Sequence, residues 1–498
     1  MNAGSEASRG VDLAWLLQGR ATAPRVTVRS LVLDSRQVGP GDAFVAVAGR
    51  STHGLDHLDT AISRGAVAVL WDPADVATAP AVPPLVTAVA VPGLAASLGD
   101  LADRFYSQPS ASLKLAGITG TNGKTTCAWL YAVCRGADAV YLGTLGAGRP
   151  PLLTPTTHTT LDVMALHRAL RGFHDAGAHH AALEVSSHAL DQGRIAGVRL
   201  PLVAFTNLTR DHLDYHGSMA AYGAAKERLL HCAGVRHAVI NVADSFGAAL
   251  ADRAPVGVVV TRVSVIAAGA PSGRHVYATK IACHVGGIHI SGVTHAGPFE
   301  LSAPLVGLFN AENLLVVLGL LLASGVSLAD AVVALSTAMP PPGRMETFRV
   351  GADGPTLVVD YAHTPDALSK ALAALRAHTT GSLWCIFGCG GDRDEGKRPL
   401  MAAVAEAGAD RIVVTDDNPR SEDPERIVAM ITAAFSGRVP VHVERDREAA
   451  IRGARAAARR GDVILIAGKG HEDYQIYGSD RRAFSDRAVA DALLKEAA

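Results

Sequence analysis

The chain has 498 residues, 49% hydrophobic and 19% charged, with 46 Lys+Arg against 47 Asp+Glu for a net charge of −1. That length exceeds one hydrophobic core and suggests about three domains, and the even charge excludes the basic surplus of a nucleic-acid or membrane-surface binder. The six cysteines, Cys127, Cys134, Cys232, Cys283, Cys385 and Cys389, lack metal-knuckle spacing. All but Cys389 lie in apolar surroundings, and residues 1–10 carry no apolar leader, so they read as reduced thiols of a cytoplasmic protein.

Residues 1–108 read as a small α/β module. Strand-like runs at 26–28, 30–33, 43–47, 66–71 and 85–91 accompany helices near 54–64 and 94–106. Asp34-Ser35-Arg36 reads as a polar turn, and Gly49-Arg50-Ser51-Thr52-His53-Gly54 as a polar glycine loop. Ser107-Gln108-Pro109-Ser110 is a natural linker.

The second domain, 109–338, opens on the stretch that carries the chemistry. A strand at 113–118 runs into Gly117-Ile118-Thr119-Gly120-Thr121-Asn122-Gly123-Lys124-Thr125-Thr126, and a helix follows. A glycine-bearing turn between strand and helix cradles phosphate with backbone N–H groups and the helix dipole. Lys124 would reach the β- and γ-phosphates, and the Thr125 hydroxyl would hold Mg²⁺. The general P-loop pattern wants a glycine at 118, where this chain has Ile118. The loop predicts binding of a nucleoside triphosphate and names no reaction.

Further strands at 181–185, 202–206 and 237–241 alternate with helices, which argues a mostly parallel sheet. Ligands of such sheets sit beyond the carboxyl ends of the strands. Glu184-Val185-Ser186-Ser187-His188 and Thr206-Asn207-Leu208-Thr209-Arg210-Asp211-His212 occupy such ends. Glu184 suits an acidic magnesium ligand; His188 and His212 alone decide nothing. Lys226 lies on an amphipathic helix, and spacing alone makes it an exposed lysine. Short alternating strands over 256–300 form an inserted β-rich piece. The apolar run at 314–323 is too short and broken to span a bilayer.

After the linker Met339-Pro340-Pro341-Pro342-Gly343, a β/α pattern restarts over 339–498 and predicts a doubly wound, Rossmann-like sheet. Its strands fall at 356–361, 383–387, 411–415 and 463–467, and Thr364-Pro365 starts a helix. Three polar loops follow strands: Gly388-Cys389-Gly390-Gly391-Asp392-Arg393-Asp394, Asp416-Asp417-Asn418-Pro419-Arg420 and Gly468-Lys469-Gly470-His471-Glu472. Opposite charges three residues apart, Asp417 and Arg420, suit a zwitterion. Loops leaving strand ends of one sheet would converge on one pocket.

Together these stretches resemble the Mur ligase family. The P-loop form Gly-Thr-Asn-Gly-Lys-Thr-Thr at 120–126 is that family's variant. Glu184-Val185-Ser186-Ser187-His188, Arg210-Asp211-His212-Leu213-Asp214-Tyr215-His216 and Asp360-Tyr361-Ala362-His363-Thr364-Pro365 resemble motifs of its member that adds the third amino acid. Asp417-Asn418-Pro419-Arg420 resembles the motif that marks diaminopimelate addition. The resemblance runs from Asp34 to Glu472 and implies three domains: an N-terminal UDP-binding module, a central P-loop domain and a C-terminal amino-acid-binding domain.

The resemblance also implies residue roles. Leu33, Ser35 and Arg50-Ser51-Thr52 would meet UDP. Thr156, Thr157, Ser186, Gln192 and Arg194 would hold the muramoyl dipeptide. Asn310, Asn313, Arg344 and Asp360 would join the P-loop on ATP. Arg393, Asp417, Asn418, Pro419, Arg420, Gly468 and Glu472 would read meso-diaminopimelate. Lys226 would react with CO₂ to give a carbamate, and with Thr125, Glu184 and His212 would complete the magnesium shells. Lys124, Lys226 and His212 would be catalytic. The implied reaction adds meso-diaminopimelate to UDP-N-acetylmuramoyl-L-alanyl-D-glutamate through an acyl phosphate, and a monomer is expected. The departure at Pro155, where the family usually has asparagine, puts one substrate hydrogen bond in question. Rival readings are lysine addition, a folylpolyglutamate synthase-like ligase and a non-catalytic nucleotide-gated binder.

Overall fold

The computed structural model describes residues 10–49, 52–76, 78–156, 158–266, 273–284, 287–349 and 354–496. They divide into two compact units. One comprises the chain up to 121 with 135–238 and 253–259; the other comprises 122–134, 239–252 and the chain from 260 onward.

The first unit begins with a four-stranded parallel sheet in the order Leu31–Val32, Ala43–Ala46, Ala68–Trp71 and Thr87–Ala90. Every residue of the two central strands is buried. A parallel strand is covered on both faces, so it needs a continuous apolar run. The helix Leu94–Phe105 closes one face with Leu94, Leu101, Ala102 and Phe105. Asp34-Ser35-Arg36 is more ordered than the expected turn: Ser35–Gln37 forms one turn of 3-10 helix, and the Asp34 carboxylate caps it by accepting from the Arg36 N–H.

A second run of strands in this unit has the order Leu152–Thr154, Gly146–Arg149, Ala139–Gly143, His180–Glu184, Lys114–Thr119 and Leu202–Phe205. The last four are parallel, and the first two fold back as an antiparallel meander. The meander is not among the strands expected from the sequence; its glycines and prolines are turn-forming residues. Glu184 pairs with Ile118, and Phe205 with Thr119. Three strands thus end in one row, and the loops that leave them share an edge.

In the second unit, the expected β-rich piece consists of Val259–Ser264, Arg274–His284, Gly287–Thr294 and Gly297–Ala303, the last three antiparallel. The helix Leu308–Ala323 is buried from Asn310 to Leu321 except at Glu312. Among the described residues no helix is long and apolar enough to cross a membrane.

The remaining sheet has the order Glu346–Arg349, Thr356–Asp360, Val463–Ala467, Leu383–Phe387, Arg411–Val414 and Val441–Val443, parallel except for the first strand. Its strands alternate faces with period two. Val358, Cys385, Phe387, Val414 and Leu465 face the helices Pro365–Arg376, Lys397–Gly408 and Pro424–Thr432. Val359, Trp384, Ile386, Val413 and Ile466 face Arg447–Ala457 and Asp486–Glu496. This is the doubly wound sheet the β/α pattern predicts. Cys389, expected outside apolar surroundings, is instead 3% exposed and belongs to the first of these cores.

Candidate active site

The P-loop leaves the strand Lys114–Thr119 and turns through Gly120-Thr121-Asn122-Gly123 into the helix Lys124–Arg135, which opens with Lys124, Thr125 and Thr126. Gly117, Ile118 and Thr119 are buried strand residues. Position 118 is therefore core, and an isoleucine serves there better than a glycine. The turn itself uses Gly120, at φ 151°, and Gly123, at φ 85°. A Cβ on Gly120 would stand 1.9 Å from Thr206 Oγ1, so only glycine lets the turn lie this close to the loop after Phe205. Thr121 secures that contact. Its N–H donates to the Asn207 carbonyl at 2.8 Å, and its hydroxyl accepts from the Thr209 N–H at 3.0 Å.

Lys226 overturns the expectation of an exposed helix lysine: it is 1% exposed. The helix Met219–Glu227 turns it inward, its Nζ donates to the Gly120 carbonyl at 2.7 Å, and it lies 4.5 Å from the centre of the Tyr222 ring. Burial pushes the Tyr222 phenol up to about 12, so it stays protonated and donates to Thr121 Oγ1 at 3.3 Å. His212 holds a left-handed conformation at φ 51°. A non-glycine residue there stores roughly 1–3 kcal/mol of strain. The turn sets its ring 4.9 Å from that of His188 and 6.1 Å from that of Tyr222. Burial, then the neighbouring His212 and His216, hold His188 below its ordinary value.

Glu184 is 0% exposed. Its carboxylate accepts from the Tyr141 hydroxyl, the Thr144 N–H at 3.0 Å and the Thr144 hydroxyl at 3.2 Å. Tyr141 and Thr144 were not read from the sequence; they flank Gly143, where a Cβ would meet Glu184 Oε1 at 2.2 Å. Among the described residues no group of three or more His, Cys, Asp or Glu is placed to hold a metal ion.

Also in the first unit, a cavity of about 710 Å³ is lined by Leu33, Ser35, Arg36, His57, His158 and Arg194 among others. It unites Leu33 and Ser35 with Arg194 across 159 positions of sequence, counted from Ser35 to Arg194. Arg194 donates to Gln192 Oε1 at 2.9 Å and to the Thr160 carbonyl at 3.1 Å. Ser186 caps the helix Ser187–Asp191, and the Thr156 hydroxyl donates to the Gly143 carbonyl at 3.2 Å. Thr52 is exposed and is not a lining residue. Arg50, Ser51 and Thr157 lie outside the described residues.

In the second unit, the Asn313 side chain donates to Asn310 Oδ1 at 2.9 Å, and the Cys127 thiol of the P-loop helix donates to Asn313 Oδ1 at 3.5 Å. Arg344 stacks over Tyr361, 4.8 Å from its centre, and its Nε is buried without a hydrogen bond. Asp360 accepts from the Met345 and Ala362 N–H groups, and burial raises it above the usual carboxylate range.

Asp360 pairs with Ala467, Ile386 with Ile466, and Phe387 with Val414. The loops after these strand ends therefore meet, as their polarity predicts. Asn418 donates to Glu472 Oε2 at 3.0 Å, and its Oδ1 accepts from Lys469 Nζ at 3.0 Å and the Ile476 N–H at 3.1 Å. Asp417 Oδ1 is buried, 3.2 Å from Lys469 Nζ but without a hydrogen bond. A Cβ on Gly468 would lie 3.5 Å from Asp417 Oδ2. Arg420, left-handed at φ 54°, donates to the Gly391 carbonyl at 2.8 Å. Arg420 Nη1 and the stem of the exposed Arg393 both approach Gly390. The hairpin Tyr474–Tyr477 with Asp480–Ala483, absent from the sequence reading, backs this cluster.

A P-loop strand–turn–helix, parallel α/β sheets and polar loops at their strand ends define a nucleotide-dependent α/β enzyme. Three family profiles match in succession: the Mur ligase family catalytic domain over 27–106, the Mur ligase middle domain over 118–321, and the Mur ligase glutamate ligase domain over 343–470. The chain belongs to the Mur ligase family. It is 48% identical to the UDP-N-acetylmuramoyl-L-alanyl-D-glutamate–2,6-diaminopimelate ligase of Xylella fastidiosa (strain 9a5c), over 98% of both chains. It is 46% identical to the ligase of that name from Chromobacterium violaceum, over 94% of both. A solved structure of a ligase of the same name is 34% identical, with a TM-score of 0.71, covering 98% of this chain and 99% of the other. A folylpolyglutamate synthase from Mycobacterium tuberculosis, 21% identical with a TM-score of 0.57 over 75% of this chain and 92% of its own, shares the fold.

Proposed function

We propose that this chain is an ATP-dependent amide ligase of peptidoglycan precursor synthesis, joining meso-2,6-diaminopimelate to the D-glutamate γ-carboxylate of UDP-N-acetylmuramoyl-L-alanyl-D-glutamate. The observation that carries the amino-acid assignment is the loop cluster of Asp417, Asn418, Arg420 and Glu472. There the buried Asp417 carboxylate, ion-paired with Lys469, lies on the loop that carries the Arg420 guanidinium. The carboxylates of the cluster suit a substrate ammonium and the guanidinium a substrate carboxylate. Relatives of nearly full length carry the same ligase name.

A carboxylate resists attack because it is already negative, so it must first gain a leaving group. The γ-phosphoryl of ATP passes to the carboxylate, and ADP departs. The neutral amine of diaminopimelate then attacks the acyl phosphate, and inorganic phosphate leaves as the amide forms. The P-loop N–H groups and Lys124 would neutralise the approach of two anions. The cavity holding Leu33, Ser35 and Arg194 would seat the UDP-muramoyl part, with Thr156, Ser186 and Gln192 as further contacts. Asn310, Asn313, Arg344 and Asp360 would serve ATP. These assignments suit functional domains at 1–108, 109–338 and 339–498.

The Glu184 carboxylate and the Thr125 hydroxyl are oxygen donors of the kind a hard cation takes. Glu184 is a preset carboxylate and one ring, Tyr222, lies near both His212 and Lys226, yet as an ammonium Lys226 cannot ligate. A carbamate on Lys226, formed with CO₂, would replace that cation with oxygen donors. Glu184, His212 and this carbamate would then hold one Mg²⁺, and Thr125 would serve an ion on the nucleotide. Bound magnesium supplies charge neutralisation to the phosphoryl group.

The test is a panel of amino acids offered with UDP-muramoyl dipeptide and ATP. Diaminopimelate should drive phosphate release and lysine should not. A guanidinium left without its carboxylate costs roughly 2–5 kcal/mol, so efficient use of lysine would refute the assignment.

A further inference from the structure

Lys469 belongs to no assigned contact, yet it is 0% exposed, one of the largest fully buried side chains of the protein. Its ammonium donates to the Tyr474 carbonyl at 2.7 Å and to Asn418 Oδ1 at 3.0 Å. It lies 3.2 Å from Asp417 Oδ1 and 3.5 Å from Glu472 Oε2. A buried cation is costly unless paired and hydrogen-bonded, and here it meets two carboxylates. Its second consequence is directional. A primary amide offers one oxygen and one NH₂, and the two differ by a half-turn. Lys469 and the Ile476 N–H both require an oxygen on their side, so the Asn418 NH₂ must face Glu472, 3.0 Å away.

We infer that Lys469 is the positioning residue of the amino-acid site: it fixes the sense of the Asn418 amide and holds Asp417 and Glu472 together as a pair of aligned acceptors. It need not touch the amino acid. Among these three groups two carboxylates outweigh one ammonium by a single negative charge, which favours a substrate ammonium on their side of the cluster. This inference rests on the assignment of the 416–420 and 468–472 loops to the incoming amino acid.

The experiment compares Lys469→Met, Asn418→Ala and the double variant in the full-length enzyme, with KM measured for each substrate. A lost charged hydrogen bond predicts a rise of about tenfold or more in KM for diaminopimelate in Lys469→Met. KM for ATP and for the UDP-muramoyl dipeptide should stay within about twofold, and kcat should change less than KM. Because part of the Lys469 effect runs through Asn418, the double variant should raise KM for diaminopimelate by less than the product of the two single effects. Multiplicative effects, or equal damage to all three KM values, would overturn the inference in favour of a general packing role. Should Lys469→Met fail to fold, Lys469→Gln keeps one N–H for the Asn418 oxygen and should show an intermediate KM; a wild-type value there would also overturn it. If Asn418→Ala leaves KM for diaminopimelate unchanged, the site assignment itself fails. If Asn418→Ala raises it and Lys469→Met does not, only the role of Lys469 fails.

Discussion

Lys226 and Arg420 carry opposite lessons about single residues. Helical spacing places Lys226 on a surface, but the helix Met219–Glu227 turns it toward the Gly120 carbonyl. No periodicity reveals which neighbour a helix face will meet, so its burial was not legible without the resemblance. Replacing it with methionine should abolish turnover. In native protein, mass spectrometry of the Lys226 peptide under bicarbonate should find one added CO₂, lost on acidification; an unmodified lysine in fully active enzyme would refute the carbamate. Arg420 needs no periodicity to stand out: a charge pair at a strand end suits a zwitterion before any fold is known, and its guanidinium donates to the Gly391 carbonyl in the neighbouring loop. Arg420→Ala should raise KM for diaminopimelate by about ten- to a thousandfold, the range of a truncated charged contact, with KM for ATP little changed. Steady-state kinetics with each substrate varied in turn decides this.

Among the elements, those built on apolar runs were readable. The strands at 237–241, 383–387 and 463–467 fall at the expected residues because short, largely apolar runs mark covered strands. The strands Gly146–Arg149 and Leu152–Thr154 were not, since glycine and proline there carry turn signals. The hairpin Tyr474–Tyr477 with Asp480–Ala483 is polar and arginine-rich, and it docks through hydrogen bonds to the 416–420 loop and to Lys469 rather than through an apolar face. The P-loop turn depends on Gly120. Gly120→Ala combines a positive φ with a Cβ only 1.9 Å from Thr206 Oγ1, and should cost about 1–3 kcal/mol of stability together with ATP binding, checked by denaturant unfolding and nucleotide titration. The loop after Ala467 also carries a pH signature. Burial, then the charges of Arg344 and Arg487, lower His471 to about 4 from an unfolded value of 6.5. Below 6.5 the unfolded chain binds the extra proton, so this contribution is intact above 6.5 and is lost as pH falls toward 4. Unfolding midpoints measured at pH 7 and pH 5 should differ less in His471→Phe than in the unmodified protein.

For the whole molecule, the chemistry requires both an acceptor carboxylate and an amine before ATP can be turned over to ADP and free phosphate. Phosphate release should therefore need UDP-muramoyl dipeptide and diaminopimelate together, and Lys124→Ala should remove it while leaving the unfolding transition in place. A protein that merely binds nucleotide would release none under any combination, and one that hydrolyses ATP with neither partner would contradict the coupling. The sheets themselves are indifferent to which substrates are used. In the carboxyl-terminal sheet, Asp360, Ala467, Phe387 and Val414 close their strands near one level, with the hydrophobic cores behind them. Appetite and architecture are thereby uncoupled: a grafted turn at 416–420 with a matching partner at 468–472 could retune which building block is accepted, while the framework beneath remains as it was.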